Sequence, residues 1–221
     1  MPSTDTTPPH ALLLVGPGCP YCAQMLESLG ELVKDGAIAR LEVVNVAAEP
    51  DVAQQYGVRS VPWTRIGPLV LEGAHTTAEL RHWSQESTSE LGLSHYIDDQ
   101  LQHGGLARVD ALIREEPTRL LAVLPLIADR ETSIQTRVGI GALLEGLEDT
   151  GLANELGRKL LPLLGNSDAR VRADVCHYLG LSGNAQSIPE LRPLLEDEDS
   201  EVREITAESI AHLEQKGLAS A

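Results

Sequence analysis

The pattern of apolar positions changes character along the chain. In the first part, short apolar runs such as 11–15 and 38–46 alternate with segments in which apolar residues recur every three or four positions. The runs predict strands, and the periodic segments, the first of which begins at Pro20, predict helices. Beyond residue 95 every periodic segment has helical spacing. The pattern predicts two domains, the first α/β and the second all-α. In the first predicted helix the residues at helical spacing are Ala23, Leu26, Leu29 and Val33.

The rest of the first part predicts a hairpin. A second helix is expected from Pro50, with Gly57 just past its end. Pro62 then precedes a short strand, a Gly-Pro turn and a second short strand, and Thr76 or Thr77 caps a last helix. The order is strand, helix, strand, helix, strand, strand, helix. This order predicts a parallel pair of strands followed by an antiparallel hairpin.

The second part of the chain contains a repeated pattern. Three segments begin with a proline and two aliphatic residues, continue with a polar turn, and reach an aliphatic residue nine positions after the proline. Each then continues as an amphipathic helix. A near-regular period of two helices predicts an α-solenoid. The prolines are Pro125, Pro162 and Pro193, and the aliphatic residues are Ile134, Val171 and Val202.

These patterns divide the chain into segments. We expect a disordered tail at 1–10, the α/β domain at 11–88, a linker or leading helix at 89–104, the helical repeats at 105–217 and a tail at 218–221.

The net charge of the chain limits the classes of partner that it can bind. The formal net charge is −16, and both parts of the chain are acidic, with 10 acids and 5 bases up to residue 88 and 23 acids and 12 bases after it. Nucleic acid and anionic membranes bind basic surfaces, so we expect neither as a partner.

Three cysteines, an odd number, do not form the disulfide framework of a small secreted domain. The N-terminal segment has no basic region, and the apolar stretch at 11–15 is too short for a signal sequence or a membrane span. We therefore expect a cytoplasmic protein.

The pair Cys19 and Cys22, in "GPGCPYC", follows the first predicted strand. A Cys-x-x-Cys pair fits a redox couple, half of a metal site, or two packed thiols. With Cys19 at the N-cap and Pro20 at the first helical position, the helix dipole would stabilise a thiolate at Cys19, while Cys22 would lie one turn inward. Structural zinc needs four ligands, and no second pair follows at matching spacing, so we expect no metal site.

The Cys19-Pro20-Tyr21-Cys22 tetrapeptide and the "SVP" that ends at Pro62 resemble the glutaredoxin-like branch of the thioredoxin fold. The resemblance implies a thiol–disulfide oxidoreductase with Cys19 and Cys22 as catalytic residues and a cis Val61–Pro62 bond opposite the dithiol. Pro20, Tyr21, Val61 and Pro62 would contact the substrate, a protein disulfide. The resemblance implies no cofactor beyond the dithiol, leaves glutathione open as a co-substrate, and leaves an iron–sulfur cluster shared between two subunits as an alternative.

The repeats, with "DSEVR" at 199–203, resemble the short bacterial HEAT-like repeats also seen in phycobilin lyases. Such repeats present a surface to a protein partner, so the helical domain would select what the dithiol acts on. The competing interpretation is an adaptor or redox sensor in which the repeats bind a partner and the dithiol turns over little.

Four other residues have two interpretations each. Cys176 is expected to be a buried small hydrophobe and not a redox residue, and Trp63 a core residue and not a substrate clamp. His75 and His82 are expected at the surface, although a histidine near the thiolate could assist exchange.

Overall fold

A computed structural model describes residues 7–89, 91–147 and 151–219. Contacts divide the chain into two compact units, Met1–Tyr96 and Ile97–Ala221. Of the predicted tails, residues 1–6 and 220–221 lie outside the described residues. Within the described residues, the predicted tails overlap regular secondary structure. His10 is the first residue of a strand, and Ala219 is the last residue of a helix.

The first unit is a four-stranded sheet with helices. Its strands are β1 (His10–Val15), β2 (Arg40–Asn45), β3 (Trp63–Ile66) and β4 (Leu69–Glu72), and its helices are α1 (Cys22–Lys34), α2 (Pro50–Gln55) and α3 (Thr77–Glu86). The sheet order is β2-β1-β3-β4. β1 is parallel to β2 and antiparallel to β3, and β3 is antiparallel to β4. The predicted element order and the hairpin are therefore confirmed.

Local sequence explains where these elements stop and turn. Leu13 and Leu14 of β1 are both fully buried, as expected for a strand inside a sheet. The β3–β4 turn contains Gly67 at a φ of 55°, a conformation that favours glycine. Thr76 caps α3, because its hydroxyl accepts from the N–H of Glu79 while the Glu79 carboxylate accepts from the N–H of Thr76. The Glu79 carboxylate accepts from both the N–H and the hydroxyl of Thr76, and these two hydrogen bonds lower the pKa of Glu79.

The buried face of α1 differs from the predicted face. Ala23 and Leu26 are exposed. The residues that α1 buries are Cys22, Met25, Ser28, Leu29 and Leu32. Of the four residues predicted at helical spacing, Leu29 is buried and Val33 is half-buried, and the core also takes Met25 and Leu32, which the prediction did not include.

The first unit extends to Tyr96, in the helix α4 (Gly92–Gln102). The Tyr96 side chain is fully buried. Its hydroxyl donates to the carbonyl of Val70 at 2.7 Å and accepts from the N–H of Val70 at 3.1 Å. Its ring packs edge-on against Trp83, with centroids 5.5 Å apart. Tyr96 therefore completes the packing beside β4.

The second unit is helical. After α4 come α5 (Leu106–Glu115), α6 (Leu124–Ala128), α7 (Ile134–Leu147), α8 (Gly151–Leu160), α9 (Ala169–Leu181), α10 (Ile188–Leu191) and α11 (Ser200–Ala219). Short 3₁₀ segments lie at Pro117–Val123, Leu161–Gly165, Ala185–Ser187 and Arg192–Glu196. α9 packs between α7 and α11, as expected for stacked helical repeats.

The register of the first repeat differs from the predicted register. Val171 and Val202 are buried, but Ile134 is highly exposed. The buried residue at the matching place is Thr136, whose N–H donates to the Ser133 hydroxyl. The first copy has two more residues between its proline and this buried position than the other copies, so Ile134 is not the structural counterpart of Val171 and Val202.

Arginines follow the buried position in each copy: Arg137, Arg172 and Arg203. Arg172 forms a two-pronged ion pair with Asp197, at 2.8 and 2.7 Å, and also donates to the carbonyl of Asn166. The guanidinium lowers the pKa of Asp197. In the preceding copy the place of Asp197 is taken by Asn166, which is uncharged, and Arg137 pairs instead with Asp174.

Across the described ranges, none of the helices combines the length and the apolar character that a membrane crossing requires.

Candidate functional site

The first candidate site is the cysteine pair ahead of α1. Cys19 and Cys22 form a disulfide, with Cα atoms 5.6 Å apart. Cys22 is buried, with 8% of its surface exposed, whereas Cys19 is partly exposed and Tyr21 between them is 54% exposed. A reagent or substrate therefore reaches the pair from the Cys19 side.

The start of α1 corrects the prediction for Cys19. The N–H of Cys19 donates to the carbonyl of Gly16 in a turn, and the carbonyl of Tyr21 accepts the N–H of Met25. Tyr21 is therefore the N-cap and Cys22 the first helical residue, so Cys19 and Pro20 lie ahead of the helix. Because residues 16–19 form a turn, the first helical hydrogen bond is the one from the N–H of Met25 to the carbonyl of Tyr21. Because Cys19 is bonded to the first helical residue, its sulfur still lies at the positive end of α1.

The Val61–Pro62 peptide bond is cis, which confirms the predicted geometry of this loop. The loop lies beside the segment that leads to the cysteines, since a Cβ on Gly16 would come within 3.3 Å of a Val61 methyl group. The carbonyl of Pro62 accepts from the N–H of Gly73 at 2.9 Å. Within the described ranges, neither the N–H nor the C=O of Val61 has a hydrogen-bond partner.

Trp63 belongs to the core, as predicted. It is buried beside Leu14 and Val44, and its ring stacks on Tyr56 with centroids 5.3 Å apart. The guanidinium of Arg65 lies over the ring of Tyr56, with its carbon 5.8 Å from the ring centroid. This cluster anchors β3 immediately after the cis-proline.

The two histidines differ in exposure. The N–H of His75 donates to the sulfur of Met25 at 3.2 Å, so the segment after β4 is held against α1. The His75 ring lies 3.2 Å from the carbonyl of Glu72 and 4.0 Å from the Glu79 carboxylate. His82 is exposed, with its ring beside Trp83.

Sequence reasoning missed Gly16 and Met25. The lack of a side chain on Gly16 allows Val46 and Val61 to approach. Met25 was not among the predicted apolar positions of α1. Its spacing of three residues from Cys22 was the available signal.

Cys176 is a free, fully buried thiol on α9, as predicted. The hydroxyl of Thr206 lies 3.2 Å from its sulfur, and burial raises the pKa of the thiol. Among residues 7–89, 91–147 and 151–219, no group of three His, Cys, Asp or Glu side chains is placed to hold a metal ion.

Comparison with protein families assigns both units. The Thioredoxin domain model matches residues 11–85, which include both cysteines and the cis-proline. The HEAT repeats model matches residues 157–220, which contain α9 and α11. The chain joins a thioredoxin-like domain to HEAT repeats. No curated protein matches the chain. The fold class predicted from the sequence is therefore confirmed, a thioredoxin-fold domain followed by an all-α repeat domain.

Proposed function

We propose that the thioredoxin-like domain is a glutaredoxin-like thiol–disulfide oxidoreductase whose redox centre is the Cys19–Cys22 pair. Its substrate is a protein disulfide or dithiol, with glutathione as the alternative co-substrate, and the HEAT repeats select the partner. We also propose that the protein works in the cytoplasm. A reducing compartment would regenerate the dithiol and keep Cys176 as a free thiol.

The observation that carries the proposal is the unequal exposure of the two cysteines. A substrate sulfur can approach Cys19, which is partly exposed, more easily than Cys22, which is buried in α1. The positive end of α1 and its unpaired N–H groups favour a thiolate at this position. A thiolate is the reactive form in exchange chemistry.

The exchange then has two balanced steps. In the reducing direction, the Cys19 thiolate attacks a substrate disulfide, forms a Cys19–substrate disulfide and releases one substrate thiolate. The Cys22 thiolate next attacks the Cys19 sulfur, which forms the Cys19–Cys22 disulfide and releases the second substrate thiolate. Two electrons pass to the substrate. The released thiolates take up two protons, replacing those that left Cys19 and Cys22.

The surroundings of the pair support an extended protein segment as substrate. The N–H and C=O groups of Val61 have no partner in the described part of the chain, so both are available for main-chain hydrogen bonds to a substrate strand. Pro62 has no N–H to compete for the same strand. Pro20 and the exposed ring of Tyr21 would contact the substrate next to its disulfide.

A second candidate is an adaptor in which the repeats bind a partner and the dithiol senses redox state with little turnover. The match to HEAT repeats favours it, since such repeats generally mediate protein–protein interaction.

Reduction of insulin with dithiothreitol as the electron source separates the two candidates. The oxidoreductase proposal expects the wild-type protein to accelerate insulin reduction and the Cys19→Ser variant to lose the acceleration. The same assay with glutathione and its recycling enzyme tests the co-substrate. Wild-type rates equal to those of Cys19→Ser in both assays would reject the oxidoreductase and leave the adaptor.

A further inference from the structure

The second unit contains a groove, which we call the α7–α9 groove. It lies between α7 and α9, has a volume of about 620 Å³, and is bordered at one end by Glu201 of α11. A smaller cavity of about 230 Å³ between α9 and α11 shares His177 with it. The two depressions therefore adjoin at His177.

One wall of the groove is an exposed apolar stripe. Ile134 and Val138, four residues apart on α7, are 69% and 67% exposed, more than any other large hydrophobic side chain within the described ranges. Residues at this spacing lie on the same face of a helix. Ala142, one turn further, continues the stripe into the groove.

The exposure of this stripe follows from the register of the first repeat. Thr136 takes the buried place that Val171 and Val202 occupy in the later copies. The two additional residues in the turn of the first copy therefore leave Ile134 outside the core at the start of α7. The repeat architecture does not bury it, so its contact surface remains available.

The floor of the groove is held in place by hydrogen bonds. The hydroxyl of Tyr178 donates to the carbonyl of Arg137 at 2.9 Å, and the guanidinium of Arg137 pairs with Asp174. Gly141 lies over these groups, and a Cβ there would be 3.7 Å from the ring of His177. The groove is thus preformed, which lowers the entropic cost of binding.

The charges of the groove favour a basic partner. The α7–α9 groove carries three carboxylates against two guanidinium groups, a formal balance of −1: Glu145, Asp174 and Glu201 against Arg137 and Arg170. Glu208 adds one more carboxylate in the adjoining smaller cavity. Asp174 already balances the charge of Arg137, and Arg170 donates to the carbonyl of Arg130. Glu145 and Glu201 line the same groove as the apolar stripe. The chain as a whole carries −16, which would attract a basic segment over a longer range.

We propose that the α7–α9 groove binds a basic segment of a protein partner whose aliphatic side chains contact Ile134 and Val138. Lysine or arginine side chains of the same segment approach Glu145 and Glu201. The proposal rests on the partner-binding part of the function proposed above and is independent of the chemistry of Cys19 and Cys22.

Three fluorescein-labelled peptides test the groove on the full-length oxidised protein by fluorescence anisotropy. Each has about 12 residues, which span about 18 Å as a helix. One is built from Lys and Leu, one from Glu and Leu, and one from Lys and Ser. The proposal expects the Lys/Leu peptide to bind at least about tenfold more tightly than the other two, and less tightly as salt is raised through about 0.15 M.

Groove variants then locate the binding site. Val138→Ser, alone and with Ile134→Ser, is expected to weaken binding of the Lys/Leu peptide about tenfold, and Leu195→Ser, at an exposed leucine outside the groove, is the matched control. Glu145→Gln and Glu201→Gln are each expected to weaken binding of the Lys/Leu peptide about two- to fivefold and to reduce the salt dependence of this binding. Glu190→Gln, on α10, is their control. Both charge variants change exposed positions, and Glu201 lies on α11, so Glu201→Gln tests the groove even where an Ile134 or Val138 variant on α7 folds poorly.

Equal binding of the Lys/Ser and Lys/Leu peptides, equal effects of groove and control variants, or no binding of the Lys/Leu peptide would each overturn the proposal. Insulin reduction by the wild-type protein is measured in parallel. Turnover without peptide binding would reject the groove alone, and peptide binding without turnover would reject the redox proposal alone.

Discussion

Cys22 is the first residue of α1 and is buried, and its disulfide connects it to Cys19, which is partly exposed on the turn before the helix. The two sulfurs therefore differ in access although they share one bond. Exchange chemistry needs this difference, because one sulfur has to meet the substrate while the other remains close enough to displace it.

In the reduced protein, we expect iodoacetamide to modify Cys19 first. Cys19 is more accessible than Cys22, and the positive end of α1 favours its thiolate. Cys176 serves as an internal control, because it is fully buried and burial raises the pKa of its thiol. Mass spectrometry after timed alkylation at several pH values measures the order. Faster modification of Cys22, or titration of Cys19 above the free-thiol value of about 8.5, would contradict the assigned roles.

Cys22→Ser should accumulate a mixed disulfide between Cys19 and a protein substrate. Without the Cys22 thiolate the intermediate has no intramolecular route to resolution. Non-reducing electrophoresis after incubation with oxidised insulin would detect the adduct, which dithiothreitol should release. Cys19→Ser is the matched control and should form no comparable adduct. An equal yield from both variants would show that the two cysteines are interchangeable.

Asp197→Asn should destabilise the second unit and make its stability less sensitive to acid. The Asp197 carboxylate pairs with Arg172, and the side chains of both are about 10% exposed, so we expect a loss of about 2 to 3 kcal/mol of unfolding free energy near neutral pH. Because the guanidinium lowers the pKa of Asp197, the stabilisation is complete above the unfolded value of about 4 and is lost as the pH falls through the folded pKa. Urea unfolding followed by far-UV circular dichroism between about pH 7 and pH 3 measures both effects.

Glu131→Gln is the control for this pair, because Glu131 and Arg130 form an ion pair at the surface, with side chains 75% and 69% exposed. Its unfolding free energy should stay within about 0.5 kcal/mol of the wild-type value. An equal loss in both variants would mean that burial of the Arg172–Asp197 pair adds nothing.

Tyr96→Phe should destabilise the first unit by about 1 to 2 kcal/mol. The substitution removes the hydroxyl that both donates to and accepts from Val70, while the ring can still pack against Trp83. Both tryptophans of the chain, Trp63 and Trp83, lie in the first unit, so their fluorescence during urea unfolding reports on this unit. Tyr21→Phe, at an exposed tyrosine, is the control and should leave the midpoint unchanged. An unchanged midpoint for Tyr96→Phe would mean that the two hydrogen bonds make no net contribution.

Part of the candidate site follows from the sequence. The Cys-Pro-Tyr-Cys tetrapeptide and the Val-Pro pair are short motifs, so they could be recognised together with the cis geometry of Val61–Pro62. The sequence could not predict that the backbone groups of Val61 are unpaired or that Val61 contacts Gly16. Both features depend on which segments meet at one end of the sheet.

For the fold as well, some features follow from the sequence and others only from the tertiary structure. Local signals determined the order of strands and helices, since apolar period, glycine and proline act on neighbouring residues. Only the tertiary structure decided the phase of each period. It buries Met25 and leaves Leu26 exposed, buries Thr136 and leaves Ile134 exposed, and adds Tyr96 to the first unit. The physical reason is that a helix can bury any of several faces at little local cost. Which face becomes buried depends on the elements that pack against it, and these are distant in the chain.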